Sequence, residues 1–277
     1  MVNATAPLPA YRRPGGIVPD KRNWRRFFAC WRGFANTGQN RGAVFEAYLA
    51  VLAPSSARQF HRTRAHPNGR KLFRNQPDLL AVLCDDAYLA SLPVGSVGHA
   101  YRSYMMTNDL EPGVYDEATV LRPIADRNNW SEDYYWFMRR IATLHDFYHV
   151  IGGYGTDVAG ELMVMGFQMG QIEPTGILGK LGYFYAAVVP GAPVRHKVRA
   201  YRQALNRGRC ADMMSAAPWE ELLDKPIDDV RELLGVTTMR EAHPDGVWRA
   251  KVSPIGMTTP VDWDYDEVLA RELGRCD

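Results

Sequence analysis

The 277-residue sequence has no long hydrophobic run, no cysteine motif and no large charge imbalance. No apolar stretch reaches the roughly 18 to 20 residues that a membrane-spanning helix needs, and no signal-peptide core is present, so we expect neither a spanning nor a secreted protein. The four cysteines are far apart and form no CxxC pair, which argues against a zinc ribbon or a disulfide framework: Cys30, Cys84, Cys210 and Cys276. The net charge of +2 gives no reason to expect nucleic acid as a partner.

Alternating β patterns are scarce, whereas apolar residues recur at helical spacing along most of the chain. We therefore predict an all-α fold, with residues 1–22 as an extended arm rich in proline, glycine and arginine and residues 23–277 as a single helical domain. Helix 43–52 is expected to stop at Pro54, because proline lacks the amide hydrogen that a helix interior requires. The other predicted helices are 24–34, 78–89, 100–106, 131–150, 158–171, 177–189, 194–209, 219–223, 227–234 and 264–273.

The segment from His145 to His149 has the composition of a metal site. Its two imidazoles are four residues apart, so on a helix they face the same way and can bind one ion. Asp146 either reaches the same ion from the flank or fixes a histidine tautomer as a hydrogen-bond acceptor. Two satisfied interior histidines would be the simpler interpretation of this pair alone.

Glu161 can join this site only if the helix breaks. On an unbroken helix it would lie about 18 Å beyond His149. Glycines at 152, 153 and 155, followed by Thr156 and Asp157 as cap residues, predict a helix end and a new helix start. A central helix hairpin would then bring Glu161 to the histidines, and two nitrogens with one or two carboxylate oxygens suit zinc or iron.

Two other metal-dependent classes share parts of this pattern. Hydrolases of the HD-domain kind have the His145-Asp146 dyad, but they also need a separate upstream histidine ligand, and His99 is 46 positions away. A zincin-like protease would need glutamate where Asp146 stands, because the shorter side chain is a poorly placed general base.

The spacing of His145, Asp146, His149 and Glu161 resembles the HDxxH-x11-E signature of the Coq-four family of coenzyme Q (ubiquinone) biosynthesis proteins. Residues 92–101, LPVGSVGHAY, are similar to an upstream segment of that family. The C-terminal segment with Trp219-Glu220, Pro226, Val230-Arg231 and Leu234-Gly235 is similar to another. The resemblance covers roughly residues 24–236.

The resemblance implies an all-helical fold with an apolar, lipid-sized cavity and a bound divalent metal, zinc or else iron, held by His145, Asp146, His149 and Glu161 as catalytic residues. It implies oxidative decarboxylation of a polyprenyl hydroxybenzoate-type precursor, which is removal of the ring carboxylate and its replacement by hydroxyl. A non-catalytic zinc-containing scaffold that binds lipid is the alternative. We expect four residues to bind the substrate. Arg140 would pair with the substrate carboxylate, Tyr148 and Tyr154 would lie near the ring, and Gln168 would line the pocket.

The implied partners are a polyprenylated quinone precursor, a membrane surface, other quinone biosynthesis enzymes and a second copy in a homodimer. In a bacterium the location would be the cytoplasmic face of the inner membrane, and in a eukaryote the matrix face of the mitochondrial inner membrane. Residues 162–169 and 177–189 are apolar with interspersed glycines, which predicts either close helix packing or room for a prenyl chain. We expect one basic helix to face a membrane: Arg195, His196, Lys197, Arg199, Arg202, Arg207 and Arg209.

Overall fold

The computed structural model describes residues 16–37, 41–113, 120–172 and 176–249. Most of the predicted arm and the predicted helix 264–273 lie outside these ranges. Within them the chain forms α-helices, a 3-10 turn at Met214–Ala216 and two isolated bridges, without a named strand. The helices are α1 Trp24–Thr37, α2 Arg41–Ala65, α3 Pro67–Asn75, α4 Leu79–Leu83, α5 Asp86–Ser91, α6 Val97–Thr107, α7 Arg122–Arg127, α8 Glu132–Gly152, α9 Val158–Ile172, α10 Ile177–Val188, α11 Val194–Cys210, α12 Trp219–Leu222, α13 Ile227–Leu233 and α14 Met239–Ala242.

The all-α prediction is therefore confirmed. None of the described helices is long and apolar enough to cross a bilayer. The chain divides into two compact units, the first of residues 1–64 and 115–142 and the second of residues 65–114 and 143–277. Each unit is described by itself.

In the first unit, α2 continues through Pro54, so the prediction that this helix stops there was wrong. A proline inside a helix leaves the carbonyl four residues earlier without its usual amide donor. Here the Asn23 amide donates to that carbonyl, on Ala50, at 2.8 Å. A contact from a distant segment thus satisfies the group that proline leaves open, and local sequence alone does not reveal it.

The core of the first unit is aromatic. The Phe60 ring meets those of Tyr134 and Phe137 edge to face, at 5.5 Å between centroids in each case. Buried Glu46 accepts hydrogen bonds from Arg26 and Arg127, at 2.8 Å each. These two cations lower the pKa of Glu46 although burial opposes them, so the carboxylate stays ionised inside the unit.

In the second unit, α9, α10 and α11 pack against one another. A side chain at Gly170 of α9 would overlap the Leu205 carbonyl of α11, and one at Gly208 of α11 would overlap the Phe167 carbonyl of α9. Gly170 and Gly208 therefore let the two helix backbones approach closely. The lipid-sized cavity stays a prediction.

The remaining differences from the predicted helices involve short helices. The predicted helix 78–89 is two helices, because the Asp85 side chain accepts a hydrogen bond from the Tyr88 amide at 2.9 Å and starts α5 anew. The sequence patterns did not predict α3, α7 and α14, which have 9, 6 and 4 residues. Such short segments show too little periodicity to be recognised.

Candidate metal centre

The hairpin predicted between α8 and α9 is present. Gly153 has a φ of 70°, in the left-handed region that ends many helices. The Tyr154 amide donates back to the His149 carbonyl at 3.0 Å, which closes the Schellman type of helix end. Helix α8 therefore stops within one turn of His149.

Helix α9 begins at a cap that Asp157 supplies. Its carboxylate accepts a hydrogen bond from the Gly160 amide at 2.6 Å, and its carbonyl accepts one from the Glu161 amide at 2.9 Å. A side chain at position 160 would overlap the Gly155 carbonyl oxygen, so only glycine fits there. The turn and the cap together place Glu161 in the first turn of α9, opposite the end of α8.

His145, His149 and Glu161 form a cluster whose ligand atoms all lie within 4.8 Å of one another. The two Nε2 atoms are 3.3 Å apart, and the Glu161 carboxylate oxygens lie 3.4 Å from that of His145 and 3.5 Å from that of His149. Ligands at about 2.0 to 2.1 Å from a tetrahedral zinc ion are separated by about 3.4 Å. The spacing of these three donors therefore fits a small divalent ion.

The backbone sets the tautomer of His149. Its Nδ1 lies 3.1 Å from the Tyr154 carbonyl oxygen, which can only accept, so Nδ1 carries the proton and Nε2 presents a lone pair. The ring stacks on Tyr104, with 5.4 Å between centroids. His149 is thus fixed with the ligating nitrogen directed at the cluster.

His145 has a different neighbour. Its Nδ1 lies 3.2 Å from the side-chain amide nitrogen, Nε2, of Gln168 on α9. The structure thus places Gln168, predicted to contact the substrate, beside a predicted metal ligand.

The three groups are electrostatically coupled. Burial alone would raise the pKa of Glu161, but the charges and hydrogen bonds of His149 and His145 hold it well below its usual range. Burial likewise opposes the rise in the pKa of His145, which the hydrogen bond and charge of Glu161 produce. Glu161 is therefore ionised, the form in which a carboxylate binds a metal.

One side of the cluster is open. The His149 side chain is 1% exposed, whereas those of His145 and Glu161 are 37% and 28% exposed. Burial raises the pKa of Tyr185 on α10, and the Glu161 charge raises it further. Water or a substrate can therefore approach the cluster from the side of His145 and Glu161.

Asp146 lies outside this cluster of ligand atoms among the described residues. Burial raises the pKa of its carboxyl, while the charges of His145 and His149 lower it. The Asp146 charge in turn adds to the rise in the pKa of Tyr101 and Tyr104, where burial is the larger cause. The carboxyl thus lies near the ligands and these two tyrosines, and its role as a ligand or as an orienting group stays a prediction.

The other predicted substrate residues have different surroundings. Arg140 belongs to the first unit, where its guanidinium lies 6.0 Å from the centre of the Trp136 ring. Tyr148 is buried with its ring edge-on to Phe167, and burial raises its pKa. The Tyr154 hydroxyl lies 2.9 Å from Nε2 of His243. Their binding roles stay predictions.

Two buried arginines support the end of α8, and sequence patterns gave no sign of this. Nη1 of Arg207 donates to the Gly152 carbonyl at 2.6 Å, and Nε of Arg231 donates to the Ile151 carbonyl at 3.2 Å. Cations at a helix C-terminus also oppose the negative end of the helix dipole. Both arginines therefore stabilise the ligand-bearing helix.

The prediction that all the basic residues of α11 face a membrane was wrong for two of them. Arg207 is 5% exposed and Lys197 is 4% exposed, so neither belongs to the predicted membrane-facing surface. Nζ of Lys197 donates to the Ala187 and Val189 carbonyls at the end of α10. Four of the predicted basic residues are exposed: Arg195, Arg199, Arg202 and Arg209.

Across its described residues the chain is helical, and it brings the ligand atoms of two histidines and a glutamate close together. A family model described as "Coenzyme Q (ubiquinone) biosynthesis protein Coq4" matches residues 48–240. The match covers more than half of the sequence, and the chain belongs to this family of ubiquinone biosynthesis proteins. His99, the upstream histidine considered for an HD-type hydrolase, is not part of the cluster found among the described residues.

Curated relatives bear the name ubiquinone biosynthesis protein coq4, mitochondrial. The chain is 27% identical to that of Talaromyces marneffei over 84% of its own length and 78% of the relative's. It is 26% identical to that of Candida albicans, over 72% of its own length and 62% of the relative's. A crystal structure from Nostoc punctiforme has the same fold, with a TM-score of 0.55 at 22% identity, covering 79% of this chain and all of that one.

Proposed function

We propose that this protein carries out a metal-dependent step of ubiquinone biosynthesis, the oxidative decarboxylation of a polyprenyl hydroxybenzoate-type precursor. The observation that carries the proposal is the cluster of His145, His149 and Glu161, with donors spaced for one ion and one side open. Two histidines and one carboxylate with open positions suit zinc or ferrous iron. When bound, such an ion polarises oxygen ligands and stabilises developing negative charge.

The chemistry sets what the residues must do. Replacing a ring carboxylate by hydroxyl is a two-electron oxidation, for which we take dioxygen as the oxidant. In balanced form the acid, dioxygen and water give the phenol, carbon dioxide and hydrogen peroxide. His149, buried and fixed by the Tyr154 carbonyl, and Glu161, held ionised, would bind the ion, while the open side beside His145 would admit the aromatic acid.

The second unit also offers a surface for the membrane that contains such a substrate. On α10, Leu181, Phe184, Tyr185 and Val188 are 48%, 67%, 41% and 59% exposed. Their spacing of three and four residues places them on one helix face. Residues 174–211 contain no acidic side chain. An apolar face with basic neighbours suits anionic lipid.

The test uses purified protein loaded with zinc or with ferrous iron, and vesicles containing a prenylated hydroxybenzoate labelled at its carboxyl carbon. We expect labelled carbon dioxide and the matching phenol from one of the two metal forms. Glu161→Ala should lose both products and bound metal while its circular dichroism stays that of a helical protein. The matched control is Glu232→Ala, an exposed acid on α13, which should behave as the wild type.

Three outcomes would contradict the proposal. If chelation or Glu161→Ala unfolds the protein and no metal form turns over the acid, the metal is structural and the protein is a lipid-binding scaffold. Hydrolysis of phosphomonoesters that depends on the metal would favour the HD-type hydrolase instead. A wild-type protein that retains no divalent ion would remove the basis of the proposal.

A further inference from the structure

Gln168 occupies a distinct position on α9. It follows Glu161 by seven residues, which is about two helical turns, so both side chains point from the same face. Glu161 provides ligand atoms to the cluster, and the amide nitrogen Nε2 of Gln168 lies 3.2 Å from Nδ1 of His145. The segment between them, Leu162 to Phe167, is apolar apart from a glycine.

A neutral imidazole carries its single proton on one of its two nitrogens. For Nε2 of His145 to bind a metal, the proton must be on Nδ1, and it then needs an acceptor. The amide of Gln168 has one donor end and one acceptor end, and a half-turn of the amide exchanges them. Gln168 is thus able to accept from Nδ1–H and stabilise the ligating tautomer.

We propose that Gln168 is a positioning residue for the metal ligand His145 and not a substrate contact. With the amide turned so that Oε1 takes the place of Nε2, Oε1 accepts the Nδ1 proton, which fixes the ring and directs the Nε2 lone pair of His145 at the ion. This inference rests on the proposed metal centre. Hydrogen-bond partners of this kind commonly change metal affinity by about 10- to 100-fold when removed.

The experiment measures the Zn²⁺ affinity of the full-length protein by competition with a chromogenic chelator, without substrate. Gln168→Met keeps the length of the side chain and removes the acceptor, so Zn²⁺ affinity should fall about 10- to 100-fold. Gln168→Glu restores an acceptor and should bind Zn²⁺ at least as tightly as the wild type. Met165→Leu, a half-buried position on the same helix, is the control and should leave the affinity unchanged.

Co²⁺ absorption gives a second readout, because its visible bands report ligand geometry. Gln168→Met should alter these bands, and Gln168→Glu should preserve their intensity. If Gln168→Met binds Zn²⁺ as tightly as the wild type, with the same Co²⁺ spectrum, the inference is wrong while the metal centre stands. If the wild type itself binds neither ion, the inference and the proposed function fail together.

Discussion

Replacement of Arg207 by methionine tests whether the end of the ligand helix depends on a buried cation. The guanidinium donates to the Gly152 carbonyl at 2.6 Å and also to the Thr237 carbonyl. It also lies 5.3 Å from the centre of the Tyr154 ring and 5.6 Å from that of Phe167. Methionine would fill similar volume but leave both carbonyls without this donor.

The magnitude follows from these contacts. A hydrogen bond from a charged donor contributes about 1.5 to 3 kcal/mol. A desolvated cation over an aromatic ring adds about 2 kcal/mol. The contacts share one side chain and do not add independently, so we expect Arg207→Met to lower the free energy of unfolding by about 3 to 5 kcal/mol. Arg207→Lys keeps the charge but loses the paired N–H donors of the guanidinium. Its free energy of unfolding should therefore lie between those of Arg207→Met and the wild type.

The assay is urea unfolding of the metal-free protein, followed by circular dichroism. Arg199→Met is the matched control, because Arg199 is on the same helix, 50% exposed and paired with exposed Asp245. An exposed ion pair contributes about 0.2 to 1 kcal/mol, so Arg199→Met should lower the free energy of unfolding by no more than this. A result in which Arg207→Met is destabilised no more than Arg199→Met would refute the assignment of Arg207 as the support of this helix end.

Two further predictions concern the second unit. Burial and nearby positive charge lower the pKa of His243 to about 4, so the folded state disfavours the protonated ring and stability should fall as the pH drops from about 6.5 towards 4. Between pH 7.5 and 4.5 the wild type should lose about 2 to 3 kcal/mol more unfolding free energy than His243→Gln, and equal losses would contradict this pKa. Phe184→Ser should weaken co-sedimentation with anionic vesicles several-fold, whereas Leu233→Ser, a similarly exposed control on α13, should not; equal binding by both variants would argue against the α10 face.

The hairpin at the centre of the site was predictable because its determinants are local. Gly153 in the left-handed region and the Asp157 cap act within a few residues of chain. The same holds for His145 and His149, whose spacing on one helix brings their rings together. Glu161 required only that the helix break and reverse, which the glycines predicted.

What the sequence did not reveal depends on contacts between distant segments. Pro54 is accommodated because the Asn23 amide satisfies the carbonyl of Ala50, 27 positions further along the chain. Arg207 belongs to the same run of basic residues as its exposed neighbours on α11. Only the packing of the helices shows that it is buried and bonded to the end of α8. A basic pattern on a helix therefore does not distinguish a lipid-facing charge from one that caps another helix.

Gln168 was recognisable as unusual, but its role was not. A polar residue two turns after Glu161 in an apolar helix suggests a shared face. Sequence spacing alone does not determine whether Gln168 contacts a substrate or the metal-binding residue His145. The contact between Gln168 and Nδ1 of His145 favours the second of these.

The two histidines differ in how mutation can change them. The acceptor for His149 is the main-chain carbonyl of Tyr154, present whatever side chain occupies that position, so substitutions there leave the hydrogen-bonding atom in place. The neighbour of His145 is a side chain, which a single codon change can replace with an acid, an amide or an apolar group. Evolution can thus adjust the donor strength of one ligand by point mutation while the other is held constant by the turn.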